Sequence, residues 1–119
     1  MKSIKSIQSQ TLKDIEIIAV NDCSTDDSLF ILTKLAKNDP RIKIVNNNKN
    51  YGLLYTRAMG ILKTTGEYII DVDLDDSLYE NNVLEYLYEI TNKFRVDVVS
   101  FGFMQNHRLL LNAKFLIKF

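Results

Sequence analysis

Apolar and polar positions along this chain change period several times, and each change marks an element. Ile4, Ile7 and Leu12 predict a short amphipathic helix beginning almost at Met1. Residues 15–20, IEIIAV, form a compact branched run that predicts a buried strand. A polar turn follows at 21–24. Ser24 or Thr25 can cap the next helix, with Asp26 and Asp27 in its first turn, where carboxylates favour the helix dipole. Phe30, Ile31, Leu35 and Ala36 give that helix an apolar stripe, and the N-D-P sequence at 38–40 ends it. Ile42, Ile44 and Val45 predict a second strand, and 46–52 a loop. Leu54, Ala58, Ile61 and Leu62 have helical spacing, with Gly66 beyond them as a stop signal. Residues 68–70 predict a third strand running into an acidic loop. Val83, Leu87, Ile90 and Phe94 predict a helix of about four turns, and 96–103 a fourth strand. The tail 109–119 is apolar, with Lys114 and Lys118, and fits neither period clearly.

Strands alternating with helices predict an α/β fold, a Rossmann-like and mostly parallel sheet with flanking helices in one domain over 1–119. Ligands of such sheets bind beyond the carboxyl ends of the strands. Two of the predicted strand ends are unusually polar: Asn21-Asp22 after the first, and residues 71–76 after the third.

Composition narrows the function. The 119 residues carry 15 basic and 15 acidic side chains, so the net charge is zero. A broad basic face for nucleic acid is not expected. The first 60 residues hold 9 basic against 6 acidic groups (+3), the rest 6 against 9 (−3), and four of those nine acids fall within 71–76. A single cysteine, Cys23, excludes an internal disulfide and a Cys-rich zinc site. No run reaches membrane-spanning length, and the first ten residues lack the apolar core of a signal peptide. The expected location is cytoplasmic.

The strongest local signal is D-V-D-L-D-D at 71–76. Alternation on a strand would place Asp71, Asp73 and Asp75 on one side. Clustered carboxylates repel unless a cation or solvent intervenes, and a hard divalent ion is their natural partner. A solvated acidic turn explains the same residues. An EF-hand is excluded because its required Gly is Asp76 and its final Glu is Asn82. Asn21 to Asp26 is a second constellation, where a strand-to-helix turn explains Ser24 or Thr25 but does not require Asp22 at the strand tip; Asn50-Tyr51-Gly52 with Arg57 is a third, explicable alone as an ordinary turn.

Three motifs occur in order: Q-T-L-K-D-I-E-I-I-A-V-N-D-C-S-T-D (10–26), N-Y-G-L-L-Y-T-R-A-M-G-I (50–61) and G-E-Y-I-I-D-V-D-L-D-D (66–76). Together they resemble family 2 glycosyltransferases of the GT-A fold, over about residues 3–103. The resemblance implies transfer of a sugar from a nucleoside-diphosphate donor, often UDP-linked, with inversion at the anomeric carbon. It implies that Asp22, the second Asp of a D-D-G-S turn, contacts the base. It places Arg57 near the nucleotide and makes Asp73-Leu74-Asp75 a D-x-D motif, followed by Asp76. Asp73 would meet the ribose, and Asp73, Asp75 and Asp76 would hold Mg²⁺ or Mn²⁺ on the diphosphate. Such an ion stabilises the charge growing on the leaving group.

The chain departs from the family pattern in places. Asn21 and Cys23 replace the first Asp and the Gly of the D-D-G-S turn, and Ala58 follows the arginine where Asn is usual. The resemblance places Met1 inside the helix after the family's opening strand. It also places Phe119 before the segment bearing the inverting base; Glu80, Glu85 and Glu89 do not match that base. The expectation is a donor-binding part truncated at both ends, which binds a nucleotide sugar without transferring it to an acceptor (glycan, lipid or protein). A non-catalytic nucleotide- or metal-binding or interaction module of the same fold is the alternative. A receiver-like signalling domain would need a late lysine and an isolated phosphoacceptor Asp, which the sequence does not clearly offer. The apolar tail is expected to cover a sheet edge or drive self-association. Cys23 is expected to be a small buried side chain, His107 a surface residue, and Tyr55, Tyr68, Tyr86 and Tyr88 packing residues.

Overall fold

The computed structural model describes residues 2–100 and two strand segments beyond them, Phe103–Gln105 and Arg108–Leu110. The elements run α1 (Lys2–Gln8), β1 (Ile17–Asn21), α2 (Ser28–Asn38), β2 (Ile42–Asn46), α3 (Leu53–Lys63), α4 (Val83–Phe94), β3 (Phe103–Gln105) and β4 (Arg108–Leu110). They divide into two compact units, Asp14–Gly66 and Met1–Lys13 with Glu67–Phe119.

The unit Asp14–Gly66 is a βαβα layer. β1 and β2 pair in parallel in a register from Ile17 opposite Ile42 to Asn21 opposite Asn46. A parallel pair needs a crossover, and α2 supplies it. Ile17, Leu32 and Ile42 are buried, from β1, α2 and β2 respectively. α3 lies against β1. A Cβ at Gly60 would stand 3.3 Å from Val20 Cγ2, so the missing side chain permits the close approach of helix to strand. No residue of α3 is fully buried, and Leu54 and Leu62 are 83% and 76% exposed. The apolar stripe that predicted this helix therefore faces away from its strand.

In the second unit, Ile4 of α1 and Leu84 and Leu87 of α4 are buried. Gln10 is fully buried at 0% exposure. Its amide nitrogen donates to the Ser6 and Glu80 carbonyls at 3.0 and 2.6 Å, and its oxygen accepts from the Leu84 N–H at 3.1 Å. Leu84 lies in the first turn of α4, where amides have no partner within the helix, so a remote glutamine caps this helix. Thr11 extends the tie through its N–H to the Asn81 carbonyl and its hydroxyl to Glu85. β3 and β4 form an antiparallel pair with Phe103 opposite Leu110.

Several sequence expectations need correction. α2 begins at Ser28, so Ser24 and Thr25 do not cap it; the Asp26 carboxylate accepts the Ser28 N–H at 3.0 Å instead. Asp26 and Asp27 precede the helix rather than occupy its first turn. No strand forms over 68–70 or 96–100. The chain turns at Leu74 and Asp75, with the Asp76 N–H bonded to the Asp73 carbonyl at 3.1 Å, so the alternation expected of Asp71, Asp73 and Asp75 on a strand does not arise. Cys23 is exposed, not buried. Tyr86 is exposed; Tyr55 and Tyr88 pack at the rim, Tyr55 stacked on Tyr51 at 4.3 Å and Tyr88 edge-on to Tyr68 at 5.5 Å. His107 and residues 111–119 lie outside the described residues. Among the described residues no helix is long and apolar enough to cross a membrane.

Candidate functional site

The carboxyl ends of β1 and β2 are wired together by asparagines. Asn21 and Asn46 are register partners, and the Asn21 side-chain nitrogen donates to Asn46 Oδ1 at 2.6 Å. The Asn47 N–H continues the ladder to the Asn21 carbonyl at 2.9 Å. Position 21 thus uses an amide donor that an aspartate would lack. The pairing accounts for Asn where the family turn begins with Asp.

Asp22 stands at the tip of β1, and three protein donors converge on it. Asn47 Nδ2 reaches Oδ1 at 2.7 Å, the Tyr51 N–H spans both oxygens at 3.0 and 3.1 Å, and the Gly52 N–H reaches Oδ2 at 2.8 Å. The Asn47 amide foremost, then the Tyr51 N–H, with lesser help from Gly52 and Thr56, hold the Asp22 carboxyl below its ordinary range against an opposing desolvation. A carboxylate offers roughly four acceptor sites, and these contacts, with Thr56, occupy most of them.

Gly52 precedes α3 with φ +82°, a conformation that side chains oppose, and α3 has no cap from its own side chains. Asp22 performs that service from the neighbouring strand, supplying negative charge at the helix N-terminus. Arg57 sits one turn into α3 and is half-buried. At the start of α3 Tyr51 and Tyr55 stack at 4.3 Å, Lys49 Nζ lies 4.9 Å from the Tyr51 ring centroid, and the Tyr51 hydroxyl donates to Asn48 at 2.9 Å. Cys23 adopts φ +59°, the left-handed region that favours the Gly of the D-D-G-S pattern.

Asp22 and Arg57 belong to the unit Asp14–Gly66, and Asp73, Asp75 and Asp76 to the other. The three acids are exposed around the turn at 74–75. Among the described residues no group of three or more His, Cys, Asp or Glu side chains is placed to hold a metal ion by itself. The acids do offer hard carboxylate oxygens, and magnesium commonly takes only one or two of these with the remainder from phosphate and water. Their chemistry therefore fits an ion that arrives with a diphosphate, and not a closed all-protein cage. A cleft of about 350 Å³ lined by Glu67, Tyr68, Asn92, Arg95 and Asp97 includes none of the nucleotide- or metal-binding residues expected from sequence.

The family model for Glycosyl transferase family 2 matches residues 2–108. The chain belongs to glycosyltransferase family 2. The glycosyltransferase domain is similar to a cholesterol galactosyltransferase of Borreliella burgdorferi, 44% identical over 96 residues that make up 81% of this chain and 26% of that protein. It is similar to glycosyltransferase GlyG of Streptococcus pneumoniae, 36% identical over 83% of this chain and 33% of the relative. The chain thus spans about a quarter to a third of the length of these curated relatives. Its fold matches the crystal structure of S. aureus TarS 1-349 in complex with UDP, with a TM-score of 0.74, 24% identity, and coverage of 87% of this chain and 33% of TarS. This likeness shows the GT-A fold, in keeping with the α/β reading of the sequence.

Two features were not singled out from sequence. Asn47 was hidden in a run of asparagines with no periodicity to distinguish one from another. Glu16 stands as a lone charge within the run 15–20, a signal that the apolar strand pattern overshadowed.

Proposed function

We propose that this glycosyltransferase family 2 domain binds a nucleoside-diphosphate sugar, UDP-linked, through Asp22, Arg57 and Asp73. The observation that carries the reading is the state of Asp22. Its hydrogen bonds favour the ionised carboxylate at the tip of β1, where the imide N–H of a uracil base can share its oxygens. Arg57, half-buried on the helix that Asp22 caps, offers planar donors suited to phosphate or a base carbonyl. The UDP in the TarS structure supports the nucleotide class.

In this reading Asp73 meets the ribose, and Asp73, Asp75 and Asp76 hold Mg²⁺ or Mn²⁺ against the diphosphate. When bound, that ion supplies Lewis-acid stabilisation of the leaving diphosphate. The residues of this chain bind and orient the donor. We assign inverting transfer of the sugar to the whole protein, with a glycan, lipid or protein as acceptor. The exposed thiol of Cys23 accords with the reducing cytoplasm, the compartment we assign.

The test is calorimetric titration of the 119-residue chain with UDP and, separately, with pyrophosphate. Asp22→Ala is expected to weaken UDP more than pyrophosphate, because only UDP carries the base. Equal losses for the two ligands remove Asp22 from base recognition. Absence of UDP binding by the unaltered chain overturns the reading and favours an interaction module of the same fold.

A further inference from the structure

Glu16 immediately precedes β1, outside any residue with an assigned role. Its Oε1 accepts the Thr65 N–H, the Thr65 hydroxyl at 3.1 Å and the Gly66 N–H at 2.9 Å. Its Oε2 accepts Lys43 Nζ of β2 at 2.7 Å. Thr65 and Gly66 directly follow Thr64, the C-terminal cap of α3. Glu16 therefore ties down the far end of the helix whose near end is held by Asp22.

The dimensions agree. Six residue steps from Glu16 to Asp22 span about 20 Å at strand rise. The 13 steps from Gly52 to Thr65 span about 20 Å at helical rise. Two carboxylates flanking one strand are thus spaced to grip both ends of one antiparallel helix. Midway, Gly60 lets the helix approach Val20 of the same strand.

These ties add to a packing of α3 on β1 that buries only one half-exposed face of the helix. None of its residues is fully buried. Fewer buried apolar contacts make a helix's placement depend more on its polar ties. Arg57 lies within α3, so its guanidinium moves with any shift of the helix. A binding group must be held within about 0.5 Å of its productive position to be effective.

We propose that Glu16 is a positioning residue for the nucleotide site, setting α3 and with it Arg57 from the end of the helix remote from Asp22. This rests on the reading of Arg57 as a nucleotide contact. The carboxylate is needed because two oxygens can take a pair of amides and an ammonium together. A glutamine has one acceptor oxygen and turns its NH₂ toward one set of donors.

The experiment combines nuclear magnetic resonance of the Arg57 side-chain Nε–H with UDP titration, on the whole chain. Glu16→Gln is expected to move the Arg57 resonance and the Thr65 and Gly66 amides. It should raise the UDP dissociation constant about tenfold, within the usual range for coupled contacts. In an Arg57→Ala background the same substitution should change the constant less than about twofold, since a residue acting through Arg57 is silent without it. Lys43→Met, which removes the ion pair and leaves the amide bonds, should stay within about twofold of the unaltered chain. If Glu16→Gln does not fold, Glu16→Asp keeps the charge but withdraws the oxygens by one methylene, and the same readings apply. An unmoved Arg57 resonance in a folded variant, or an equal loss with and without Arg57, overturns the proposal. Should the unaltered chain fail to bind UDP, the nucleotide reading falls, while the resonance still decides whether Glu16 positions Arg57.

Discussion

The buried side-chain oxygen of Gln10 accepts the Leu84 N–H at 3.1 Å, joining residues 74 apart in sequence. The same side chain gives its nitrogen to the Glu80 carbonyl at 2.6 Å. One glutamine therefore satisfies both the approach to α4 and its first turn. Gln10→Leu keeps much of the volume but orphans a buried N–H and a carbonyl, at about 1–3 kcal/mol each. The expected loss is about 2–4 kcal/mol by urea unfolding. A loss below about 1 kcal/mol would show that solvent replaces both partners.

Acid should weaken the fold through Glu16. Lys43 foremost, then the Thr65 amide and lesser contacts, lower its pKa from 4.5 to about 2. Because the folded value lies below the unfolded one, the contribution is complete above 4.5 and fades as pH falls toward 2. Asp22 and Asp26 act in the same direction. Urea midpoints at pH 6, 4 and 3 should fall more steeply for the unaltered chain than for Glu16→Gln. Parallel decline of the two proteins would refute the assignment.

Cys23→Gly should stabilise the chain. A side chain at φ +59° costs about 1–3 kcal/mol, and glycine removes that cost while adding about 0.5–1 kcal/mol of unfolded-state entropy. The expected gain is about 1 kcal/mol, read as a higher urea midpoint at unchanged slope. Since the thiol is exposed, no packing is lost. A lower midpoint would mean that Cys23 makes a compensating contact.

If the acids at 73–76 hold an ion only together with a diphosphate, affinity for UDP should depend on Mn²⁺ or Mg²⁺. Asp75→Asn should then abolish most of the difference between metal and chelator. Equal UDP binding in the presence of EDTA would remove the metal from the site.

Much of the local structure was legible in the sequence because it is encoded locally. The spacing of Val83, Leu87, Ile90 and Phe94 marks α4 at Val83–Phe94, and the branched runs mark β1 and β2. Asp22 was visible at a strand tip because strand and turn are distinguished by neighbours a few residues apart. A strand, however, exists only when another backbone pairs with it. The apolar residues 68–70 and the run 96–100 show the period of strands without forming one among the described residues. What each polar side chain bonds was decided by the fold alone. Gln10 and Glu16 find partners 74 and about 50 residues away, and no periodicity records a meeting between segments so far apart. The sequence by itself determined the periods that make α3, α4, β1 and β2, along with the family motifs. Tertiary structure decided that Asp22 and Glu16 hold the two ends of α3, because a carboxylate takes its role from the donors that folding brings to it.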